Sequence, residues 1–286
     1  MSLVKAYASS GKIFEQVSMR NSPAMLEQLR ATKPGEIVVV KGTYDHMEKL
    51  LDTIKVPYEM IDSEDIEKHN GGRVMFVNCK AYDNGVPKGA LEQFVHQGGR
   101  LVSTDWALGL VSKAFPKHLH KVKETVDDVV EVQCHNDIAR RFVGLNYAQC
   151  HPKWWLEGSS HVYDIDQGVV PIITSEEMKE KYGKPYIAVG FTAGKGEVFH
   201  FISHMELQRT HLREKSDKAG LDEFLSKMKV EKTAGMEDAK VAELEAAYST
   251  LNTIACLCLP QPILNTDMKS VVVGSKDLSS KSKRLV

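Results

Sequence analysis

The chain reads as an α/β protein of flavodoxin-like type. A mostly parallel sheet with helices on both faces is followed by a late β-hairpin and a helical C-terminal extension. Three observations predict it. Apolar runs of strand length recur from residue 34 onward, segments with apolar residues at helical spacing separate them, and Gly or Pro marks many junctions.

Pro34-Gly35 interrupts a helical pattern, and EIVVVKG (36–42) follows as a continuous apolar run. A run without alternation suits a strand covered on both faces. TYDHMEKLLDTI then places Met47, Leu50, Leu51 and Ile54 on one side of a helix. VPYEMID (56–62) and RVMFVNC (73–79) are the next strands. VPKGALEQFVHQGG (86–99) is a helix stopped by Gly98-Gly99, where glycine relieves the left-handed cap. RLVSTD (100–105) returns as strand and WALGLVSKAF as helix, an alternation that predicts βαβ units.

The second half is richer in strands. VVEVQCH, VVPIIT (169–174), PYIAVGFTAG (185–194) and GEVFHFISH (196–204) read as extended, the last two joined as a hairpin through Ala193-Gly194-Lys195-Gly196. KSDKAGLDEFLSKMK closes this part as a helix. The expected organisation is an α/β domain over 1–229, a linker and amphipathic helix over 230–259, and a flexible Ser/Lys-rich tail over 260–286. The helix carries apolar residues at 241, 244, 248, 251, 254 and 258, a stripe that must be buried on this domain or on another chain.

Composition narrows the function classes. With 286 residues and a formal net charge of -1, the chain offers no electrostatic reason to expect nucleic acid or an anionic membrane as partner. No apolar run approaches the roughly 20 residues of a membrane span, and the N-terminus has no long apolar signal region. Five cysteines without framework spacing predict reduced thiols and a cytoplasmic setting. Cys256 and Cys258 are one residue apart, and no second pair at ligand spacing follows Cys134-His135 or Cys150-His151. No metal and no cofactor is therefore expected, and Gly194-Lys195-Gly196 is turn chemistry rather than a phosphate loop.

Three stretches, VMFVNC, LEQFVHQGGRLVSTDWA and GKGEVFHFISHMELQ, together give the chain its family likeness. Over roughly residues 35–229 it resembles the class I glutamine amidotransferase-like superfamily, in particular the ThuA-like and related amidotransferase-like branches. The resemblance implies a nucleophilic cysteine on a sharp strand–helix turn and a late His-x-Glu pair. The turn here is Ser103-Thr104-Asp105-Trp106-Ala107, with small residues two before and two after its centre, as such an elbow requires. The late pair is His204-Met205-Glu206. Asp105 stands where the cysteine is implied, and a carboxylate cannot form the thioester of glutamine hydrolysis. Glutaminase activity is therefore not expected. Cys79 ends the preceding strand, near the elbow but off it. The cilia-associated GIFT domains, which look like relatives, indicate that such modules also serve as non-catalytic assembly parts.

Three readings of Asp105 stay open. It is a nucleophile or general base with His204 as proton partner and Glu206 orienting the imidazole. VSTDWALGL is locally similar to the Asp-Trp elbow of haloalkane dehalogenases, but no His-Gly-x-Pro segment accompanies the first strands. Alternatively, Asp105 belongs to a ligand site without turnover, lined by Trp106, His204, Tyr44 and Asn78 at the carboxyl ends of the strands. Or it caps the helix that follows, worth about 1 kcal/mol. Of Trp154-Trp155, one is expected in the core and one at the crevice rim. His118 and His120 are expected in a surface loop, and His204 at the end of the hairpin strand. The preferred expectation is a binding module for a small molecule or protein, with partner contact through 237–286, where SVVV (270–273) suits strand addition. The alternative is a hydrolase using Asp105, His204 and Glu206.

Overall fold

The computed structural model describes residues 3–81, 85–145, 153–205, 220–237 and 239–264. Helices α1 (Leu3–Asn21) and α2 (Pro23–Arg30) precede strand β1 (Ile37–Val40). Then come α3 (Met47–Ile54), β2 (Glu59–Ile61), β3 (Val74–Val77), α4 (Ala90–His96), β4 (Arg100–Thr104) and α5 (Leu108–Ala114), in the predicted alternation. Every residue of β1, β3 and β4 is buried, which is why these strands read as unbroken runs rather than alternating ones. The second half contributes β5 (Leu119–Glu124), β6 (Asp128–Glu131), α6 (Asp137–Val143), β7 (Lys153–Leu156), β8 (His161–Ile165) and β9 (Val170–Thr174). It ends with α7 (Glu176–Tyr182), β10 (Tyr186–Ala193), β11 (Gly196–Phe201), α8 (Leu221–Met228) and α9 (Val241–Cys258).

The central sheet has seven strands in the order β2-β1-β3-β4-β11-β10-β9. Strands β2, β1, β3, β4 and β11 run parallel, and β10 is antiparallel to both its neighbours. The fold is thus α/β, mostly parallel, with a late antiparallel hairpin and a C-terminal helix packed on other helices. Two antiparallel ribbons, β5–β8 and β6–β7, lie outside the main sheet. The loop expected around His118 and His120 is half right. Leu119–Glu124 is a strand, but only Leu119 in it is buried, so no apolar alternation marks it.

The hairpin turns at Gly194, whose φ of 58° lies in the left-handed region that glycine enters freely. Gly196 matters for a different reason. A Cβ there would stand 2.2 Å from the Gly99 carbonyl oxygen and 2.3 Å from that of Val95. Backbone at the end of α4 and the start of β4 has nowhere to move. Gly196→Ala is expected to destabilise the protein by about 1–3 kcal/mol through overpacking, read as a lower urea midpoint at unchanged slope. An unchanged midpoint would refute the close packing of hairpin and α4.

Helix α9 packs against α1, α3 and α6. Only its apolar stripe was expected to be buried, yet every residue of it except Glu245 is. The opposite face is made largely of Ala, Ser, Thr and Asn, small enough to bury, and Asn252 and Thr253 find acceptors within the helix bundle. Asn252 donates to the carbonyls of Arg141 and Phe142, and Thr253 donates to Phe142 and Ser249. No helix among the described residues is long and apolar enough to cross a membrane.

Candidate functional site

Four neighbouring strands deliver polar side chains to their common carboxyl edge. Asp45 follows β1, Cys79 follows β3, Asp105 follows β4 and His204 follows β11. This is the edge where open α/β sheets collect ligands, beside the reversal of strand order between β1 and β3. Strand β11 stops at Phe201, so His204 lies three residues beyond the strand end where it was expected.

Asp105 adopts φ 46°, a left-handed conformation that costs a non-glycine residue of order 1–3 kcal/mol. The small neighbours Ser103 and Ala107 leave room for this kink, and both are buried. The kink turns the Asp105 carboxylate inward instead of along the axis of α5. Its Oδ2 stands 3.4 Å from His204 Nε2 and 3.9 Å from Cys79 Sγ. On the other side of the imidazole, His204 Nδ1 is 2.6 Å from Glu157 Oε2.

The centre is sealed. Cys79, Asp105 and His204 are 1%, 3% and 2% exposed. Burial pushes the Asp105 carboxyl up to about 7, opposed by His204 and aided by the Glu157 charge. Burial works against a charged His204, but the Cys79 thiol, Glu157 and the charge on Asp45 outweigh it and lift the imidazole to about 11. Burial likewise raises Asp45 and the Cys79 thiol, each opposed by His204. The centre is therefore an imidazolium held among acidic groups, and it is chemically able to hold or relay a proton.

Glu157 and Asp45 are the two members that sequence reasoning did not single out. Glu157 lies just past β7, two residues after Trp155, and no spacing connects it with residue 204. Glu206, expected to orient His204, lies outside the described residues. Asn78 is buried and engaged at the start of α3, accepting from the Met47 N–H at 3.1 Å and donating to Glu48 at 3.0 Å. It is a helix anchor more than a wall of the site.

Trp106 forms the rim. Its indole N–H donates to the Ser159 carbonyl at 2.7 Å, its ring stacks on His161 at 5.8 Å, and Tyr44 meets it edge-on at 5.9 Å. The Lys80 ammonium lies 5.5 Å from the Trp106 ring centre. Neither member of Trp154-Trp155 takes a rim position: both are core residues, donating to Ser203 and Asp127 respectively. A tryptophan can be buried wherever its N–H finds an acceptor, and each of these does. A cleft of about 790 Å³ opens elsewhere, between α1 and α3, and shares no residue with the elbow.

No protein-family model matches the chain, and no curated protein does. Among solved structures, a glutamine amidotransferase from Methylobacillus flagellatus is 13% identical with a TM-score of 0.47, covering 80% of this chain and 94% of that one. A ThuA-like protein from Bacteroides uniformis is 14% identical with a TM-score of 0.41, covering 60% and 83%. A β-galactosidase from Rahnella sp. R3 is 14% identical with a TM-score of 0.43; the match covers 59% of this chain but spans only 28% of that enzyme. The likeness to amidotransferase-like and ThuA-like proteins is one of fold and carries nothing about activity.

Proposed function

We propose that the protein is a binding module of amidotransferase-like fold without glutaminase chemistry. The observation that carries this is Asp105 itself. It occupies the kinked position between strand and helix, is 3% exposed, and spends its carboxylate on His204 and Cys79 rather than facing solvent. A carboxylate attacking an amide would give an anhydride, not the thioester that glutamine hydrolysis passes through. The ligand-facing part of this reading is the rim. Tyr44 is 51% exposed and, with Trp106 and Lys80, offers aromatic faces beside a cation, a surface suited to a sugar, a small acid or a protein segment. The free thiols of Cys79, Cys134, Cys256 and Cys258 fit a reducing compartment such as the cytoplasm. A partner contact through the end of the 237–286 segment is part of the same reading, on residues 265–286, which lie outside the described ones.

A second reading is favoured by Glu157. With its carboxylate 2.6 Å from His204 Nδ1, Glu157 completes a series of attacking carboxylate, imidazolium proton donor and orienting carboxylate through Asp105, His204 and Glu157. This is a hydrolase with Glu157 in the place assigned to Glu206. Turnover assays separate the two. The wild type is expected to release no ammonia from glutamine, and a panel of esters and phosphoesters to be hydrolysed no faster than by Asp105→Ala. Turnover that disappears in a folded Asp105→Ala variant would establish the hydrolase and defeat the binding reading.

A further inference from the structure

Cys79, Asp105 and His204 bring a sulfur, an oxygen and a nitrogen donor together so that all three atoms lie within 4.8 Å of one another. We propose that these three residues form a zinc site, with Glu157 fixing the orientation of His204. The inference deepens the reading of the elbow as a non-glutaminase binding centre, by naming what the centre holds, and it rests on that reading.

Geometry comes first. Zinc binds nitrogen and oxygen at about 2.0–2.1 Å and thiolate at about 2.3 Å, so a tetrahedral site separates its N and O donors by about 3.3–3.4 Å and its S and O donors by about 3.5–3.6 Å. His204 Nε2 and Asp105 Oδ2 are 3.4 Å apart, and Cys79 Sγ and Asp105 Oδ2 are 3.9 Å apart. The Sγ–Oδ2 distance exceeds the tetrahedral spacing by a few tenths of an ångström, and all three donor atoms lie within 4.8 Å of one another. The three donors sit just past the carboxyl ends of β3, β4 and β11, which are hydrogen-bonded neighbours in a buried sheet. Their spacing is therefore fixed by the scaffold and not by loop chance.

The surroundings agree with the donors. A metal-binding imidazole usually gives its other ring nitrogen to a carboxylate, which sets the tautomer and aims the free lone pair at the metal. His204 places Nδ1 2.6 Å from Glu157 Oε2 and Nε2 3.4 Å from Asp105 Oδ2, the two-sided arrangement such an imidazole uses. Asp45 lies on the same carboxyl edge, its Oδ2 accepting from Thr104 Oγ1 at 2.6 Å, and adds a negative field that a divalent cation meets. The kinked backbone at Asp105 is what turns a carboxylate toward this point. A thiolate and an imidazole together select zinc-like ions over magnesium and calcium, which prefer all-oxygen sites. Binding replaces protons by metal: the Cys79 thiol proton and any proton on His204 Nε2 leave for solvent, and bonds from zinc to Sγ, Nε2 and Oδ2 form in their place. No electron is transferred. Three protein ligands leave a fourth position for water or for a small ligand.

The test uses the full chain, stripped with a chelator and reloaded. After desalting, one equivalent of zinc per chain is expected by elemental analysis. Cobalt titration is expected to give a thiolate-to-cobalt charge-transfer band with tetrahedral visible bands. Cys79→Ser should abolish the charge-transfer band, and Cys134→Ser should leave it unchanged. Glu157→Gln should weaken zinc about 10–100-fold. Substoichiometric zinc, a cobalt spectrum without a thiolate band, or an unaltered band in Cys79→Ser overturns the proposal. Should Cys79→Ser not fold, zinc-edge X-ray absorption of the wild type decides. One sulfur with nitrogen and oxygen ligands supports the site, and coordination without sulfur overturns it. A protein that binds no zinc and hydrolyses no glutamine overturns this inference alone; one that hydrolyses glutamine overturns the reading beneath it.

Discussion

Arg100→Ala is expected to destabilise the protein by about 3–5 kcal/mol, the range for leaving one partner of a buried pair uncompensated. Arg100 is 5% exposed and opens β4. Its Nε and Nη2 donate to Glu197 Oε2 at 3.0 and 2.8 Å. Its Nη1 donates to the carbonyls of Leu257 and Leu259, and its Nη2 also to that of Gln261, each at 2.6 Å. Glu197 Oε1 in turn accepts from the N–H groups of Ile263 and Leu264. The pair is thus a clamp on the end of α9. A helix leaves its last carbonyls without partners and carries a partial negative charge there, and the last turn of α9 has no basic residue of its own. Arg73 adds a second guanidinium, donating to the Cys258 carbonyl. Removing Arg100 strands a buried carboxylate and three carbonyls at once. Urea unfolding should show a lower midpoint with unchanged slope, and Arg100→Lys should fall between, because one ammonium cannot span the same acceptors. Lys121→Ala, which breaks an exposed pair with Glu124, should leave the urea midpoint nearly unchanged. An Arg100→Ala loss no larger than that would mean the clamp contributes nothing.

The same pair marks a limit of sequence reading. RLVSTD was legible as a strand because its interior is apolar and small, but the charged residue opening it gave no hint of a partner at 197 or at the end of a helix 157 residues away. Strands β1, β3 and β10 were legible because burial leaves apolar runs, and β4 and β11 from the shorter apolar stretches at their centres. β5 was not, since five of its six residues face solvent. The elbow was legible from the small residues around Asp105, a steric rule that acts locally. Its proximity to His204 followed from the resemblance of the late hairpin. Glu157 was out of reach because its position depends on how the β6–β7 ribbon, outside the main sheet, packs back over the carboxyl edge. Helix α9 was placed correctly, but its second face was not read as buried, because Ser, Thr and Asn look like solvent-facing residues until their acceptors are known.

His204→Gln is expected to lower stability by about 3–5 kcal/mol near neutral pH, again by stranding buried charges, and the deficit should shrink as pH falls. In the metal-free protein the folded His204 holds its proton far above the ordinary histidine value, to about 11 against 6.5. A group raised on folding stabilises fully below its unfolded value and loses that contribution as pH rises through its folded one. The wild type should therefore fall between pH 7 and 8.5 by about 1.4 kcal/mol per pH unit for the His204 proton, with Asp105 adding to the fall near pH 7. Thiols, whose reference value is 9.0, add to that fall toward the top of the window, and tyrosines, at 10.0, enter above it. On the acid side the variant has its own remedy. Asp105 and Asp45 are already raised by burial with the cation present, and without it they rise further, so protonation below pH 7 removes the stranded charge. His161 and His200, pushed down to about 4 and about 3 by burial, destabilise the folded state as pH falls below 6.5, but they do so in wild type and variant alike. Their effect cancels in the difference. Thermal midpoints of wild type and His204→Gln, taken from pH 5 to 8.5 in chelator, should thus diverge near neutral pH and converge as pH falls and the stranded carboxylates take up protons. A deficit that stays constant across that range would reduce His204 to a packing residue and remove the imidazolium from the centre of the site.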